Sequence, residues 1–261
     1  MPPIILAGAF PLEINGIMRR GRFRRAKGCC FEGETGGVSA ILAVSGMGED
    51  SAYRKAKEIL ALYPDARAYV SVGLSASLAL GLVAGDIIAA TEITSYAVIS
   101  APALSIPGQA PSGIQELRVS NGNHISFPCN PGLSATLAKI ECRAGRFASV
   151  SRTITTSAEK KKLADATGAV ALDMESGGAA RACAESGIPF ISIRAISDTL
   201  EEDLPVDFNL FMNDGKMRLA RLMFYLLAHP ARIPALLRLG RNSRLACERL
   251  GESVESMMGA L

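Results

Sequence analysis

At 261 residues the chain is long enough to bury one large core or two small ones. Hydrophobic residues make up 49% of it and charged residues only 20%, which suits a closely packed α/β protein. The formal net charge of +3 is too small to argue for a nucleic-acid partner, and we expect none. No apolar run reaches the roughly 18 residues of a membrane span, and the first residues lack the basic region of a signal peptide. We therefore expect a cytoplasmic protein.

The cysteines and histidines argue against a metal site. The six cysteines show no C-x-x-C spacing, and the chain has only two histidines. A zinc site is built from closely spaced residues of these two types. We therefore predict that no metal is bound and that the cysteines are buried thiols.

In chain order, short apolar runs alternate with segments of helical periodicity, which indicates an α/β domain. The predicted strands span Ile4–Phe10, Gly28–Glu34, Val38–Ser45, Ala68–Gly73, Asp86–Thr94 and Ala148–Thr155. The predicted helices span Ser51–Tyr63, Leu133–Arg143 and the segment opened by a capping box, Thr156-Ser-Ala-Glu159. The proline-rich segment Ser100–Pro131 is a candidate lid or interface loop.

A β-α-β unit lies near two-thirds of the chain. The runs Ala169–Ser176 and Pro189–Asp198 are short, apolar and bounded by Gly or Pro, as buried parallel strands are. The small residues between them predict a helix that lies close on the sheet. Each run ends with a carboxylate, Glu175 and Asp198, and ligands of open α/β sheets bind at this end of the strands. We therefore predict a site that contains both acids.

The last part of the chain is basic and rich in leucine. A short helix is predicted over Asp203–Asn213, and amphipathic helices over Lys216–His229 and Ile233–Gly251. Residues 216–249 carry many arginines and almost no acid. Two interpretations stay open. The leucines pack on the sheet and the arginines are solvated, or the segment contacts a membrane surface or the lipid part of a substrate.

Two motifs carry a family resemblance, Asp173-Met-Glu-Ser176 and Arg194-Ala-Ile-Ser-Asp198, in matching order and at matching separation. Weaker support comes from Gly8-Ala-Phe-Pro-Leu-Glu13, Ser45-Gly-Met-Gly48 and Gly85-Asp86. On these residues the chain resembles the nucleoside phosphorylase/nucleosidase superfamily over most of residues 4–200. The segment from His229 to Gly240 resembles one branch, the hopanoid-associated phosphorylases, which act on the lipid nucleoside adenosylhopane.

The resemblance implies a three-layer α/β/α fold around a mixed, mostly parallel twisted sheet, formed by residues 1–213. Residues 214–261 would be a basic, Leu-rich helical extension packed on or flanking that domain. The resemblance also implies a homo-oligomer, a purine nucleoside as the small-molecule partner, and no cofactor, with phosphate as co-substrate if the enzyme is a phosphorylase.

The residues in these motifs are of the types that cleavage of a nucleoside requires. Cleavage of an N-ribosidic bond drives negative charge onto the purine, so a general acid must protonate the base at N7. Asp198 is the predicted acid, because its charged form is disfavoured at the mouth of an apolar strand. Glu175 is predicted to bind both ribose hydroxyls, and Met174 to offer the sugar an apolar face. Ile154 and Ser197 are predicted to line the purine.

Glu13 and Arg194 are predicted to organise the nucleophile. Glu13 stands where the nucleosidases keep the carboxylate that polarises water, although a solvated residue just past a strand is an equally simple interpretation. Arg194 would hold phosphate or water beside it, or be a structural ion-pair partner. For Asp198 and Glu175 the plainer interpretations are a helix N-cap and a first-turn carboxylate.

Two loops near the predicted nucleophile site each leave two interpretations open. Gly46 and Gly48 precede a helix and are predicted to present N–H groups to an anion, although a plain tight turn explains them equally. Where the family usually shows Gly-Ser/Thr-Ala-Gly-Gly, this chain has Gly73-Leu-Ser-Ala-Ser77. The hydroxyl expected to contact the nucleophile is displaced to Ser75, which leaves water and phosphate both open.

We therefore predict cleavage of the N-glycosidic bond of an adenosyl nucleoside. The main prediction is phosphorolysis that releases adenine, from adenosylhopane in hopanoid biosynthesis. The alternative is a methylthioadenosine/adenosylhomocysteine nucleosidase that uses water. A second alternative is a nucleoside-binding protein that has the fold but no turnover.

Overall fold

The computed structural model describes residues 1–96, 98–100, 117–119, 125–137, 142–213 and 216–261. Most of the candidate lid, Ser100–Pro131, lies outside these residues. So does the stretch 138–141 of the helix predicted over Leu133–Arg143, of which the structure has Pro131–Leu137. In the described part of the chain, no helix is long and apolar enough to cross a membrane.

The described residues form β-strands from near the first residue to the segment before the last two helices. They are β1 (Ile4–Gly8), β2 (Arg22–Arg25), β3 (Phe31–Thr35), β4 (Val38–Val44), β5 (Ala68–Ser77), β6 (Ile87–Tyr96), β7 (Val98–Ser100), β8 (Leu117–Val119), β9 (Ile125–Pro128), β10 (Arg143–Val150), β11 (Ala171–Asp173), β12 (Phe190–Asp198), β13 (Met212–Asn213) and β14 (Lys216–Met217). The α-helices are α1 (Pro11–Arg20), α2 (Glu49–Leu62), α3 (Pro131–Leu137), α4 (Ser157–Thr167), α5 (Ser176–Ser186), α6 (Leu219–Ala228) and α7 (Ile233–Gly259). Short 3₁₀ turns occupy Lys27–Cys29, Phe208–Phe211 and Pro230–Arg232.

One large mixed sheet organises the molecule, with the strand order β11–β10–β6–β12–β5–β1–β4–β3–β2 and β9 paired to β6. Its central strands β4, β1, β5 and β12 run parallel and are almost fully buried, which explains their continuous apolar sequences. The end of β5 also pairs antiparallel with β11. Strands β5, β12, β6, β10 and β11 therefore close on themselves like a small barrel.

Helices cover both faces of the sheet. The chain crosses from β1 to β4 in one direction and from β4 to β5 in the other, so right-handed connections put α1 and α2 on opposite faces. Helix α7 packs on α1, and α5 packs on α2. The predicted fold class is confirmed: a central mixed sheet lies between two layers of helix.

Some element predictions were wrong at their bounds. The first strand ends at Gly8, and Pro11 begins helix α1 rather than only ending the strand. The stretch 74–77, predicted as a loop, is the end of β5, because β12 and β11 both pair with it. The strand predicted over Ala148–Thr155 runs from Arg143 to Val150. The capping box at Thr156 is confirmed, since its hydroxyl accepts the Glu159 N–H.

The predicted C-terminal extension is present, and its first and last parts differ in how deeply their side chains are buried. The second half of α7 is part of the main core, with Leu250, Val254 and Met257 fully buried. The first half of α7 and helix α6 leave large apolar side chains exposed. The division at residue 213/214 stays a prediction.

Two glycines set the contact between α1 and α7. A Cβ added to Gly251 would lie 2.8 Å from the carbonyl carbon of Gly16, and one added to Gly16 would lie 2.7 Å from the Cys247 carbonyl oxygen. These neighbours are backbone atoms and cannot rotate away. The two helices can approach this closely only because neither position carries a side chain.

We expect Gly251→Ala to lower the free energy of unfolding by about 1–3 kcal/mol, because the added methyl group overpacks the contact. Gly240→Ala is the matched control in the same helix, since nothing lies within 4 Å of its added Cβ. That control should be neutral or stabilising by about 0.5–1 kcal/mol. Urea unfolding of the three proteins measures both values, and equal midpoints for Gly251→Ala and the wild type would contradict the packing argument.

Candidate active site

The centre of the site is a buried ion pair. Arg194 lies in the middle of β12 with 2% of its surface exposed, and its guanidinium binds the Asp173 carboxylate at the end of β11. The Nε and Nη2 atoms lie 2.8 Å and 2.7 Å from Asp173 Oδ2. Nη2 also donates to the hydroxyls of Ser71 and Ser176, each at 2.9 Å. Of the two interpretations of Arg194, the structure shows the structural ion pair.

Glu13 is buried rather than solvated, although it follows the first strand closely. It lies in the first turn of α1, and its two carboxylate oxygens accept N–H groups from Leu74 (2.9 Å) and Phe10 (3.0 Å). A Cβ on Gly73 would lie 2.7 Å from Glu13 Oε1, so this approach requires glycine there. Burial raises the pKa of Glu13, while the two N–H bonds and the charge of Arg194 act in the opposite direction.

Glu175 lies at the start of α5, close to the buried ion pair. Its Oε1 accepts the backbone N–H of Gly48 at 2.9 Å. Burial, together with the negative charges of Asp173 and Glu13, raises the pKa of Glu175 to about 7 against the opposing charge of Arg194. Glu13, Glu175, Asp173 and Arg194 therefore form one electrostatic cluster at the carboxyl ends of the strands.

The glycine turn before α2 contacts a carboxylate of the protein itself. Gly46 and Gly48 both have positive φ angles, +80° and +89°, as the tight turn requires. The Gly48 N–H, however, donates to Glu175 rather than pointing at an external anion. The turn therefore helps to orient the Glu175 carboxylate.

Ser75 also departs from its predicted role as a contact of the nucleophile. Its hydroxyl donates to the backbone carbonyls of Leu172 (2.8 Å) and Ala76 (3.0 Å), where β5 meets β11. It is buried, and its bond to Leu172 joins β5 to β11 and stabilises the closure of the sheet.

Met174 and Ile154 lie on the apolar side of the site. Met174 is half-buried, and its sulfur accepts the Thr153 hydroxyl at 3.7 Å. Ile154 is fully buried in a second apolar cluster with residues of β10, β11 and α4. In the structure, Ile154 supports the wall of the site from within the core.

A bulge in β12 displays Ser197 and Asp198 together. The register against β5 jumps between Ile196 and Asp198, so Ser197 is an extra residue in the ladder. Bulges re-aim side chains and are common beside active sites. The Ser197 hydroxyl lies 2.7 Å from Asp198 Oδ1 and 3.2 Å from the Ser75 carbonyl oxygen. Asp198 ends the strand without starting a helix, so it is not an N-cap.

Sequence reasoning missed Lys160. It lies in α4, is fully buried, and its ammonium contacts Asp198 Oδ2 at 2.5 Å. Asp198 is therefore buried beside a cation, and the apolar surroundings expected for it are wrong. The signal was present in the sequence, since Lys160, Leu163 and Thr167 recur on the buried face of one helix.

Comparison with known proteins places the chain in a family. The model of the phosphorylase superfamily matches residues 3–228, which is most of the chain. The chain belongs to the phosphorylase superfamily. Among the described residues, no group of three or more acids, histidines and cysteines could hold a metal ion. The curated proteins that the chain resembles include several nucleosidases.

Two curated relatives match the superfamily region at modest identity. The 5′-methylthioadenosine/S-adenosylhomocysteine nucleosidase of Actinobacillus succinogenes is 28% identical over 222 residues, covering 79% of this chain and 90% of the relative. The nucleosidase of the same name from Mycobacterium bovis is 27% identical over 247 residues, covering 84% and 94%.

Solved structures of the superfamily share the fold. The Helicobacter pylori 5′-methylthioadenosine/S-adenosylhomocysteine nucleosidase bound to butyl-thio-DADMe-Immucillin-A has a TM-score of 0.70 at 19% identity, covering 100% of this chain and 99% of that one. Futalosine hydrolase of the same species has a TM-score of 0.70 at 17% identity, covering 99% and 98%.

The raised pKa of Glu175 predicts a pH dependence of stability. A pKa of about 7 against the ordinary 4.5 means that the folded protein binds the proton more tightly than the unfolded chain. Its contribution is therefore complete below pH 4.5 and is lost as the pH rises through about 7.

We expect Glu175→Gln to flatten the fall in the free energy of unfolding between pH 4.5 and pH 7, measured by urea unfolding. Glu13 and Glu49, whose pKa values burial also raises, remain in both proteins, so the difference reports the loss of Glu175 together with its interaction with Glu13. Exposed Glu248 provides the control, and Glu248→Gln should leave the slope unchanged over this range. A Glu175→Gln slope equal to that of the wild type would show that this carboxyl is not perturbed.

Proposed function

We propose that this chain hydrolyses the N-glycosidic bond of a 5′-substituted adenine nucleoside of the methylthioadenosine or adenosylhomocysteine type. The observation that favours water over phosphate is that the groups predicted to bind phosphate are engaged elsewhere. In the described part of the chain, Arg194 pairs with Asp173, the Gly48 N–H binds Glu175, and Ser75 donates to backbone carbonyls. The nucleosidase relatives support the same choice. Hydrolysis, the alternative in the sequence analysis, thus becomes the main proposal and phosphorolysis the alternative.

The proposed reaction assigns one task to each acid. As the bond from C1′ to the purine breaks, Asp198 delivers a proton to N7 and keeps the leaving group neutral. Glu175 binds the two ribose hydroxyls, held in place by the Gly48 N–H. Glu13 accepts a proton from the water that attacks C1′, and its raised pKa makes the carboxylate a stronger base.

We expect the protein to release adenine from methylthioadenosine at the same rate with and without phosphate. Asp198→Asn should lower kcat by about 10²–10⁴-fold, because it removes the general acid. Glu185→Gln, at an exposed glutamate, is the control and should retain full activity. Release of adenine only when phosphate is added, or only from a lipid-like adenosyl nucleoside, would favour the phosphorylase of the hopanoid-associated branch instead. Nucleoside binding without any release would make the chain a binding protein.

A specific observation favours a second role, contact with an anionic lipid surface. On α6, Met223, Phe224 and Leu227 are 59%, 74% and 73% exposed, and Arg221 on the same helix is exposed as well. The opposite side of α6 packs on the small cluster of Val206, Phe211 and Leu222. We propose that the exposed side of α6 inserts shallowly into a membrane surface, with Arg221 and the N-cap residue Arg218 on the headgroups.

We expect the wild type to sediment with vesicles that contain phosphatidylglycerol, and much less with vesicles of phosphatidylcholine alone, because the arginines need anionic headgroups. The double variant Phe224→Asp, Leu227→Asp should stay in the supernatant. Leu80→Asp is the matched control, since Leu80 is 70% exposed outside the helix. If the wild type does not sediment with anionic vesicles, α6 is only a helix packed on the domain and does not bind membranes.

The homo-oligomer implied by the family resemblance stays a prediction.

A further inference from the structure

The most unusual side chain beside the site is Lys160. It has 0% of its surface exposed, and its ammonium contacts three oxygen atoms: Asp198 Oδ2 at 2.5 Å, the Thr199 carbonyl at 2.8 Å and the Glu202 carbonyl at 3.0 Å. An ammonium has three N–H bonds, so each of them has an acceptor. Burying such an ion costs several kcal/mol unless it is paired and fully hydrogen-bonded, which this one is. Such geometry is that of the charged lysine.

Asp198 is held from two sides. Lys160 binds one carboxylate oxygen, and the Ser197 hydroxyl binds the other at 2.7 Å. The carboxyl group is therefore fixed in one orientation at the bulge of β12. Each oxygen retains a second lone pair, so the group can still exchange a proton with a ligand.

We propose that Lys160 is a positioning residue that orients Asp198 and replaces the proton that Asp198 gives to the purine. This inference rests on the proposed function. In the resting pair the proton is on the Lys160 nitrogen. When the purine leaves with the bonding electrons, the proton passes from Lys160 to Asp198, and Asp198 passes a proton to N7. The purine is then neutral, Asp198 is again a carboxylate, and Lys160 is a neutral amine. The proton released by the attacking water goes to Glu13, and exchange with solvent after product release restores both groups.

A purely structural role is the competing explanation. Through Thr199 and Glu202, Lys160 also ties the loop after β12 to helix α4. Loss of that tie would disturb the site as a whole and would slow every substrate. A role in proton supply affects only substrates whose leaving group needs a proton.

The test compares two substrates with the same sugar. One is methylthioadenosine, whose adenine must be protonated, and the other is the 4-nitrophenyl riboside with the same 5′ group, whose nitrophenolate leaves as a stable anion. In Lys160→Met we expect adenine release to fall by about 10²-fold or more while nitrophenolate release changes little. Lys162→Met is the control, because Lys162 is exposed on the same helix. It should resemble the wild type with both substrates.

Two further variants keep the result interpretable. Lys160→Arg retains the charge and the tie to the loop, but a guanidinium does not give up its proton, so we expect the same selective loss. In an Asp198→Asn background, Lys160→Met should cost no further activity, because it acts through Asp198.

Equal losses with both substrates, or full adenine release by Lys160→Arg, would overturn the inference and leave the proposed function standing. A wild type that cleaves neither substrate would overturn the proposed function, and this inference with it. If the Lys160→Met protein does not fold, the same comparison of the two substrates is made with Lys160→Arg.

Discussion

The buried pair of Arg194 and Asp173 is the interaction on which the rest of the site depends. It joins the middle of β12 to the end of β11, and through the Ser71 and Ser176 hydroxyls it reaches β5 and the first turn of α5. Removal of one partner from such a pair leaves an uncompensated charge in the core, which typically costs 3–5 kcal/mol. The four elements that carry or flank the acids are therefore held in one arrangement.

The charges at this end of the sheet act on each other because they are buried together. Burial raises the pKa of Glu13 and of Glu175, and the one nearby cation, Arg194, which is already paired with Asp173, opposes that rise only in part. Asp198 is outside this cluster and has its own cation, Lys160. The two halves of the proposed reaction, attack by water and departure of the purine, are thus served by electrostatically separate groups.

The sequence could predict elements whose pattern is local. The unit from β11 through β12 and the capping box of α4 were predictable, because buried strands and capped helices have short, recognisable patterns. Helix α1 was missed because Pro11 ends strands as well as begins helices. The end of β5 is rich in small residues and resembles a loop, and only its pairing with β11 and β12 makes it a strand.

Within the site, too, residues with a local sequence pattern were predictable, and contacts between distant elements were not. Glu175 and Asp198 could be located from the ends of apolar runs, whereas the partners of Arg194, Ser75 and Gly48 depend on contacts between elements far apart in sequence. Such contacts have no local signal, and the sequence predicted ligand roles for all three residues, with a structural ion pair as the alternative for Arg194. Lys160 differs, because its place on the buried side of an amphipathic helix already indicates a buried lysine that needs a charged partner.

The closure of the sheet between β5 and β11 has a consequence for how the protein acquires its site. Strands β1, β4 and β5 and helices α1 and α2 come from the first third of the chain and can pair with one another before the rest is made. The strands that complete the barrel arrive later and make contacts of long sequence separation, which form slowly. Glu175, Arg194 and Asp198 all belong to that later part. A nascent or truncated chain that has paired only these early strands contains Glu13 but lacks the other three residues, so assembly of the site marks the completion of folding.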